Sequence, residues 1–367
     1  MQVSSSERGR GYSGGMWIHL GATRSKSAKA AACRGLRPHL RAHGVVDQGW
    51  CKLMALVLGA AVFAVTFFTY RADIREARAR VSTGSTLVQT RCGLIEYAAI
   101  GHGPPVLVIH GAGGGYDQGL EFARALTSAG FRVIAMSRFG YLRTPLPENA
   151  SAAAQADAHA CLLDALNIPL AAVVGLSAGA PSSMQFALRH SDRCDALVLV
   201  VPAAYVPRPG GTAPVHPAPA TEFLFETALR SDFLFWAATR LARSTVVRGL
   251  LATPPTVVEN ASPDEQARVA EIMEHILPVS ARRGGLLNDA KVTSSLERYD
   301  LERITTSTLL ISMADDLFGT FEIARYTAEH VPRARFISYP SGGHVAVGHQ
   351  PEIMSEIAAF LKTSRAQ

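Results

Sequence analysis

The sequence predicts an α/β fold in which helices cover both faces of a twisted, mostly parallel sheet, with a helical cap inserted in it and a single transmembrane helix before it. Short apolar runs alternate with helical stretches over residues 85–202, and this alternation returns over 301–367. Between them, residues 203–300 begin rich in proline and then show only helical patterns, which is typical of a cap domain. The chain has 367 residues, 48% of them hydrophobic, and can bury a large core.

The first 52 residues differ from the rest of the chain in charge. They contain nine basic and two acidic residues, whereas the remainder contains 27 basic and 28 acidic ones. The formal net charge of +6 therefore arises in this segment, and a basic tail on a neutral domain indicates targeting or membrane association rather than a nucleic-acid partner. Because the tail lacks a sustained apolar period, we expect residues 1–52 to be a disordered tail or a leader.

An uncharged segment of 18 residues, Leu53–Tyr70, follows the tail. As a helix it would be roughly 27 Å long, which is enough to cross a bilayer once. The segment predicts a single-pass membrane anchor; a buried core helix and a signal peptide are the alternatives, and removal of the segment would leave an exported or cytoplasmic protein. The basic tail favours an inside N-terminus, but arginines on the other flank leave the side of the membrane open: Arg71, Arg75, Arg78 and Arg80.

The remaining elements follow from apolar periodicity and turn residues. Residues 71–84 predict a helical stalk that ends at Gly84, and two short strands then predict an antiparallel start to the sheet. Strands are predicted at Thr86–Thr90, Gly93–Ala99, Val106–Ile109, Phe131–Met136, Ala171–Val174, Ala196–Val201, Thr308–Ser312 and Arg335–Tyr339. Helices are predicted at about 117–129, 151–166, 178–190, 320–330 and 351–362, with Phe223–Leu241 and Glu265–Ile276 in the cap.

Composition and spacing predict neither a metal nor a cofactor. Five cysteines occur without a Cys-x-x-Cys pair or a His-rich spacing, and their number is too low and odd for a disulfide framework. We interpret Cys161 and Cys194 as small core residues. The glycine run Gly111–Gly115 does not complete a dinucleotide fingerprint, because Tyr116 occupies the place of its third glycine, and the chain has no P-loop.

The turn Gly-Leu-Ser-Ala-Gly at 175–179 lies between an apolar strand and a helix rich in small residues. This order predicts a nucleophile elbow, in which Ser177 is held in a strained conformation at the tip of the turn. We expect Gly175 and Gly179 because strand and helix pack too closely there for a Cβ. An incidental serine in a glycine-rich turn is the alternative.

Together with this turn, three further motifs resemble the α/β-hydrolase-fold superfamily over residues 85–365: His110-Gly111, Asp315-Asp316 after a strand, and Gly342-Gly343-His344 after the last strand. The order serine, acid, histidine is the order of that superfamily. The cap and the His-Gly region are most similar to the C–C hydrolases of aromatic meta-cleavage and to cofactor-free haloperoxidase-like esterases. Serine rather than aspartate at 177 argues against haloalkane dehalogenases and epoxide hydrolases.

The resemblance implies a catalytic triad. Ser177 would be the nucleophile and His344 the base, since an imidazole with a pKa near 6.5 can take up and return a proton at neutral pH. Family members usually place glycine three residues before the acid, and Met313 in that position registers Asp316 as the acid, with Asp315 as the alternate. The acid would fix the imidazole tautomer.

The resemblance also implies an oxyanion hole formed by the backbone N–H groups of Ala112 and Ala178. Ser137 stands where the family commonly carries aspartate, so we expect the anchoring of that loop to differ. His349, at the start of the final helix, is a rival to His344 as the base. Structural roles are expected for the other three histidines considered: His102, His159 and His190.

Substrate specificity is expected to depend on the cap. Aromatic side chains at helical spacing either line an apolar pocket or pack the cap on itself: Phe223, Phe225, Phe233, Phe235 and Trp236. The pair Arg282-Arg283 either presents a cation to a substrate carboxylate or forms an exposed helix end.

These observations predict a membrane-anchored serine hydrolase that cleaves a small, apolar ester or a related acyl or C–C substrate through an acyl-enzyme. Two alternatives remain. One is a non-catalytic, membrane-tethered binding module of the same fold, whose mark would be a broken triad. The other is a cofactor-free perhydrolase or haloperoxidase that uses the same triad. The partners expected are a small-molecule substrate and the membrane, and the sequence gives no oligomeric state.

Overall fold

The sheet is the framework of this computed structural model, which describes residues 48–207 and 229–365. In that part of the chain, eight strands form one sheet in the order β1-β2-β4-β3-β5-β6-β7-β8. They are β1 Thr86–Thr90, β2 Gly93–Ile100, β3 Pro105–Ile109, β4 Arg132–Met136, β5 Ala171–Leu176, β6 Cys194–Val200, β7 Thr308–Met313 and β8 Ala334–Tyr339. The β1–β2 and β2–β4 pairs are antiparallel and all other neighbours are parallel, so the predicted mostly parallel sheet is confirmed.

Helices cover both faces of this sheet. The helices of the described residues, including those outside the sheet layers, are α1 Gln48–Ser82, α2 Tyr116–Ala123, α3 Ala125–Ser128, α4 Ala152–Ala165, α5 Ala180–Arg189, α6 Asp232–Leu241, α7 Arg243–Gly249, α8 Pro255–Glu259, α9 Pro263–His275, α10 Arg283–Ser294, α11 Thr320–His330 and α12 Gln350–Arg365. On one face, Leu107 and Ile109 of β3 pack in a cluster with α4, α5 and α11. On the other, Val106 and Val108 pack in a cluster with α2 and α12. Successive residues of β3 thus point to opposite faces, and both faces are buried.

The segment between β6 and β7 contains the helical cap. Its described part has five helices, α6 to α10, which share a third apolar cluster that includes Phe235, Trp236 and Met273. Ile74 and Ala77 of α1 belong to the same cluster. The predictions for residues 1–47, and those for Phe223 and Phe225, lie outside the described residues.

The predicted apolar segment and the predicted stalk form one continuous helix, α1. By length and composition, Trp50–Ser82 is able to cross a membrane, and none of its most apolar window is buried. The chain divides into two compact units, residues 1–64 and 65–367, so the C-terminal half of α1 belongs to the same unit as the sheet and cap. The helix ends at Ser82, and Gly84 follows in a left-handed conformation with φ +83°.

The interpretation of Cys161 as a small core residue is wrong. Cys92, in the turn between β1 and β2, and Cys161 on α4 form a disulfide bond across 69 residues. Cys161 is therefore not a free core thiol. Pairing depends on how closely the fold brings two distant segments together, which cysteine spacing alone does not reveal. Cys194 is buried as expected, and burial raises the pKa of its thiol to about 12.

Burial of His159 on α4 makes the stability of the fold dependent on pH. Burial, together with the charge of Arg138, lowers its pKa to about 3. The unfolded chain binds a proton near pH 6.5, so the stability linked to neutral His159 is complete above that pH and is lost as the pH falls towards 3.

The free energy of unfolding should decrease as the pH falls from 6 to 4, and we expect this decrease to be smaller in His159→Gln. The slope should be reduced by up to about 1.4 kcal/mol per pH unit. Urea unfolding at a series of pH values measures this slope. The control is His102→Gln at an exposed position, which should leave the slope as it is. An unchanged slope in the His159 variant would contradict the assignment.

Candidate active site

The turn that carries Ser177 has the predicted elbow geometry. Strand β5 is buried along its whole length and leads into a single 3₁₀ turn, Ser177–Gly179, in which Ser177 has φ +47°. A Cβ on Gly175 would lie 2.4 Å from Ser183 Oγ, and one on Gly179 would lie 2.6 Å from the Ile109 carbonyl oxygen. The expected strain at the serine and the expected need for both glycines are confirmed.

His344 lies between Ser177 and Asp316, although the serine and the histidine are 167 residues apart in sequence. Its Nε2 is 2.8 Å from Ser177 Oγ, and its Nδ1 is 2.7 Å from Asp316 Oδ2. An ionised carboxylate only accepts, so Nδ1 carries the proton of a neutral ring and Nε2 presents its lone pair to the serine hydroxyl. The geometry is therefore suited to proton transfer from serine to imidazole.

Asp316 is held by groups around its buried carboxylate. The Phe318 backbone N–H donates to Oδ1 over 2.8 Å, and the Thr320 hydroxyl donates to Oδ2. The edge of the Phe318 ring also contacts His344, with 5.0 Å between ring centroids. These contacts fix both members of the acid–base pair in one orientation.

Asp315 has a different position from its neighbour. Its carboxylate accepts from the backbone N–H groups of Gly343 at 2.8 Å and Gly342 at 3.2 Å. Both glycines have positive φ, +132° at Gly342 and +59° at Gly343, so Asp315 holds the turn that delivers His344. The structure thus brings Asp316, rather than Asp315, to the imidazole.

His349 does not meet the serine. Its Nδ1 is 3.2 Å from Glu352 of α12, and its ring lies against Tyr339. Among the histidines expected to be structural, His159 contacts Ser182 and His190 pairs with Asp157, whereas His102 is exposed.

The loop after β3 passes directly beside the serine. A Cβ on Gly111 would lie 3.2 Å from Ser177 Cβ, so only glycine permits this approach without displacement. Ala112 follows in an exposed position, and Ala178 lies in the first turn after Ser177, where a backbone N–H has no acceptor within the helix. The two residues predicted for the oxyanion hole therefore flank the serine.

The sequence profile of the alpha/beta hydrolase fold matches residues 104–349, which is two thirds of the chain. The chain belongs to the α/β-hydrolase-fold family. The expected fold and family resemblance are confirmed.

Relatives with known names agree with this assignment. The putative carbamate hydrolase RutD of a Caulobacter species is 28% identical, over 68% of this chain and 90% of its own. A 2-hydroxy-6-oxo-6-phenylhexa-2,4-dienoate hydrolase of Comamonas testosteroni is 30% identical, and an uncharacterized hydrolase of Bacillus subtilis, YcgS, is 36% identical. The match to the Comamonas protein covers 34% of this chain and 43% of that relative. The match to YcgS covers 29% of this chain and 37% of that relative.

A solved α/β-hydrolase-fold protein from Nakamurella multipartita is similar in structure, with 28% identity and a TM-score of 0.59. The similarity covers 76% of this chain and 99% of that protein.

In this hydrolase, a buried arginine fixes the loop beside the serine. Arg138 Nε donates to the His110 carbonyl over 2.9 Å, and Nη2 donates to the Gly111 carbonyl over 3.2 Å. The guanidinium also makes a two-pronged ion pair with Asp289 of the cap helix α10, at 2.7 and 2.6 Å. Burial would lower the pKa of Arg138, but Asp289 outweighs it and raises that pKa.

Tyr141 extends the same network to the glycine run. Its hydroxyl donates to Asp289 over 2.5 Å and accepts from the Gly113 backbone N–H over 3.2 Å. Burial and the charge of Asp289 raise the pKa of Tyr141 well above 10, which keeps the hydroxyl protonated. A cap residue thus helps to position the loop, and nothing in the spacing of Asp289 indicates this role.

His110, at the start of that loop, is neutral. Burial and then the charge of Arg138 lower its pKa well below 6.5. The Arg138 backbone N–H donates to Nε2 over 2.9 Å, so the ring proton is on Nδ1, 2.7 Å from the Gly111 carbonyl oxygen. Gln118 adds a further contact by accepting from the Gly111 N–H over 3.0 Å.

Ser137 is anchored through a carboxylate on a neighbouring strand. Its hydroxyl donates to buried Glu96 of β2 over 2.9 Å and accepts from the Tyr116 N–H over 3.2 Å. Glu96 also pairs with Arg143 over 2.6 Å. Glu96 and the Tyr116 backbone thus hold Ser137 in place.

Both alternatives for Arg282 are wrong. The side chain is fully buried and pairs with Asp117 of α2 over 2.6 Å. It also donates to the carbonyls of Gly114 and His275, so it ties the cap to the glycine loop. Burial would raise the pKa of Asp117, but Arg282 outweighs this effect and lowers it.

The aromatic residues predicted for the cap pocket pack mainly within the cap. Phe235 and Trp236 are buried in the cap cluster, whereas Phe233 is 41% exposed. Among the described residues, one group has donors close enough for a metal ion: Glu121, Glu271 and His275. The two His275 ring nitrogens face these carboxylates, at 2.7 Å for Glu121 and 3.6 Å for Glu271, and the contact with Glu121 links α9 to α2.

We expect Asp289→Ala to lower the free energy of unfolding by about 3–5 kcal/mol, because the Arg138 guanidinium stays buried without its carboxylate. Urea unfolding measures the change. Glu322→Ala, which breaks the exposed pair with Arg325 on α11, is the control and should leave the free energy of unfolding nearly unchanged. Equal losses in the two variants would contradict the role given to the buried pair.

Proposed function

We propose that this protein is a serine hydrolase that cleaves an apolar ester through an acyl-enzyme, with Ser177, His344 and Asp316 as the triad. The observation that carries the proposal is the imidazole of His344, within hydrogen-bond distance of both the serine hydroxyl and the buried carboxylate. A non-catalytic binding module has no requirement for such a chain of contacts.

In the proposed first step, Ser177 Oγ attacks the ester carbonyl carbon while its proton moves to His344 Nε2. The carbonyl electron pair moves onto oxygen, and Asp316 stabilises the imidazolium that forms. Collapse of the tetrahedral intermediate expels the alcohol oxygen, which takes the proton from Nε2. Water then attacks the acyl-enzyme in the same way, which releases the acid and restores Ser177.

The developing oxyanion would accept from the backbone N–H groups of Ala112 and Ala178. Such donors typically contribute a few kcal/mol to the stabilisation of the transition state. Arg138 and Tyr141 support the proposal indirectly, because they bind the backbone groups of the loop that contains Ala112. The loop is thereby fixed before substrate arrives, as a preorganised oxyanion hole requires.

Apolar side chains at the rim of the site favour an apolar substrate. Leu317 and Phe318 directly follow Asp316 and are 44% and 55% exposed. The names of two relatives, a putative carbamate hydrolase and a 2-hydroxy-6-oxo-6-phenylhexa-2,4-dienoate hydrolase, both describe hydrolysis of a substrate that contains a carbonyl group. An ester is the simplest substrate of that class that fits an apolar rim.

We also infer that α1 anchors the enzyme in a membrane, with the hydrolase domain on the non-cytoplasmic side. The length and apolar composition of the helix support the anchor. The Cys92–Cys161 disulfide supports the side, since such bonds persist in oxidising compartments. An inside N-terminus agrees with the basic residues at 1–52.

We expect Ser177→Ala to lower the turnover of p-nitrophenyl butyrate by at least about 10³-fold and to abolish labelling by a fluorophosphonate probe. The control is Ser183→Ala, which removes a hydroxyl bonded to the Gly179 carbonyl and should leave labelling intact. A wild-type protein that neither hydrolyses the ester nor reacts with the probe would overturn the proposal.

The two neighbouring aspartates allow a matched comparison. Asp316→Asn should lower kcat by about 10⁴-fold, because the amide favours the wrong imidazole tautomer. Asp315→Asn retains one acceptor for the glycine turn and should lower kcat by less than about 10-fold. Steady-state kinetics decide, and equal losses would contradict the assignment of Asp316 as the acid.

A further inference from the structure

We propose that the cap helix α6 lies in the surface of the membrane that holds α1, and that the enzyme takes a lipid ester from this membrane. The inference rests on the proposed ester hydrolysis and names its substrate class. It is carried by an apolar stripe on α6, by the contacts that join α6 to α1, and by the arginines around them.

The apolar stripe consists of Leu234, Ala237 and Leu241, which recur at the i, i+3, i+7 spacing of one helix face. Leu234 is 44% exposed and Leu241 is 88% exposed, and Phe233 beside them is 41% exposed. The opposite face, with Phe235 and Trp236, is buried in the cap cluster. In the described part of the chain, Leu234 and Leu241 therefore form an exposed apolar patch on α6, whereas Ala237 between them is half-buried and also packs on the cap cluster.

Helix α6 is attached to α1 at the end of the apolar segment. The Tyr70 ring meets Phe233 and Trp236 edge-on, with centroids 5.1 and 5.6 Å apart. Asp73 accepts from the Trp236 indole N–H over 2.7 Å and pairs with Arg240. Tyr70 ends the uncharged segment of α1, and Arg71 follows it. These contacts therefore place α6 at the level where a membrane-spanning helix leaves the bilayer.

A third contact fixes the direction of α6. Arg78, two turns further along α1, pairs with Asp232 at the start of α6 over 3.2 Å. Asp232 is buried and also accepts from Ser280 of the cap over 2.9 Å. Attachment near both ends of α6 keeps the apolar stripe in a fixed orientation.

Basic residues accompany the apolar stripe. Exposed arginines occur on α1 just after the apolar segment and on α7 just after α6: Arg71, Arg75, Arg243 and Arg248. An apolar helix face with arginines at its border is typical of a helix that lies in the interface of a membrane. This pattern favours the lipid surface over a second protein chain as the occupant of the stripe.

The same cap segment leads to the rim of the active site. Ala252, three residues after α7, accepts from the Leu317 backbone N–H over 2.9 Å. Thr253 packs so closely on Gly343 that a Cβ there would lie 2.5 Å away. The apolar residues Leu317 and Phe318, beside His344, thus lie against the cap segment that follows α6 and α7.

The first experiment locates the stripe in the full-length protein, reconstituted in vesicles that contain anionic lipid. A Leu241→Cys variant in a background with Cys33→Ser and Cys51→Ser carries an environment-sensitive fluorophore, and lipids with nitroxide labels near the headgroup quench it. Ser355→Cys, exposed on α12, is the matched control. We expect quenching at 241 to exceed that at 355 by at least about twofold.

Equal quenching at the two positions would overturn the proposal. A second result would also overturn the proposal: fluorescence at position 241 that labelled lipid does not quench, together with energy transfer between two labelled copies. A second chain would then cover the stripe.

The second experiment separates lipid access from chemistry. We expect Leu234→Glu with Leu241→Glu to lower hydrolysis of 4-methylumbelliferyl oleate in vesicles by at least about 10-fold, because carboxylates resist insertion into the interface. Hydrolysis of dissolved p-nitrophenyl butyrate should stay within about twofold. Leu146→Glu, at an exposed loop position outside α1 and α6, is the control.

The outcomes distinguish this inference from the proposed function. Unchanged vesicle hydrolysis in the double variant would overturn the role of the stripe and leave the proposed hydrolase intact. A wild-type protein that cleaves neither ester would instead overturn the proposed function. If both activities fall in the double variant, the quenching at position 241 decides whether the stripe lies in the membrane.

Discussion

The arrangement of the site depends on one hydrogen-bonded chain, from Ser177 through His344 to Asp316. Its three members come from turns after β5, β8 and β7, which end at the same edge of the sheet because these strands are parallel. The imidazole reaches the serine only because Gly342 and Gly343 permit a tight turn, which Asp315 holds. A neighbouring carboxylate that does not touch the histidine thus holds the turn that carries it.

Buried charge connects the cap to the chemistry. Arg138–Asp289 and Arg282–Asp117 each join a cap residue to the hydrolase core. Such pairs contribute little net stability relative to apolar packing, but an unpaired member is costly, so each pair favours a single position of the cap. We interpret these pairs as the reason that a domain inserted far along the chain can help to set the geometry around Ser177.

The fold and much of the site could be predicted from sequence because their determinants are local. Buried strands, the elbow glycines and the order of the motifs all appear within short windows, and the spacing from Met313, together with the family resemblance, predicts Asp316 as the acid. The disulfide and the cap ion pairs could not be predicted, since they depend on residues brought together over 69 to 165 positions. Arg282 was misinterpreted because nothing in its neighbours indicates that Asp117 lies opposite.

A crystal structure of the protein inhibited by a phosphonate ester would test the account most directly. The account predicts a bond from phosphorus to Ser177 Oγ, with the phosphoryl oxygen within about 3 Å of the Ala112 and Ala178 nitrogens. His344 should remain bonded to Asp316. A phosphonate attached to another residue, or an oxygen directed away from both backbone N–H groups, would contradict the account.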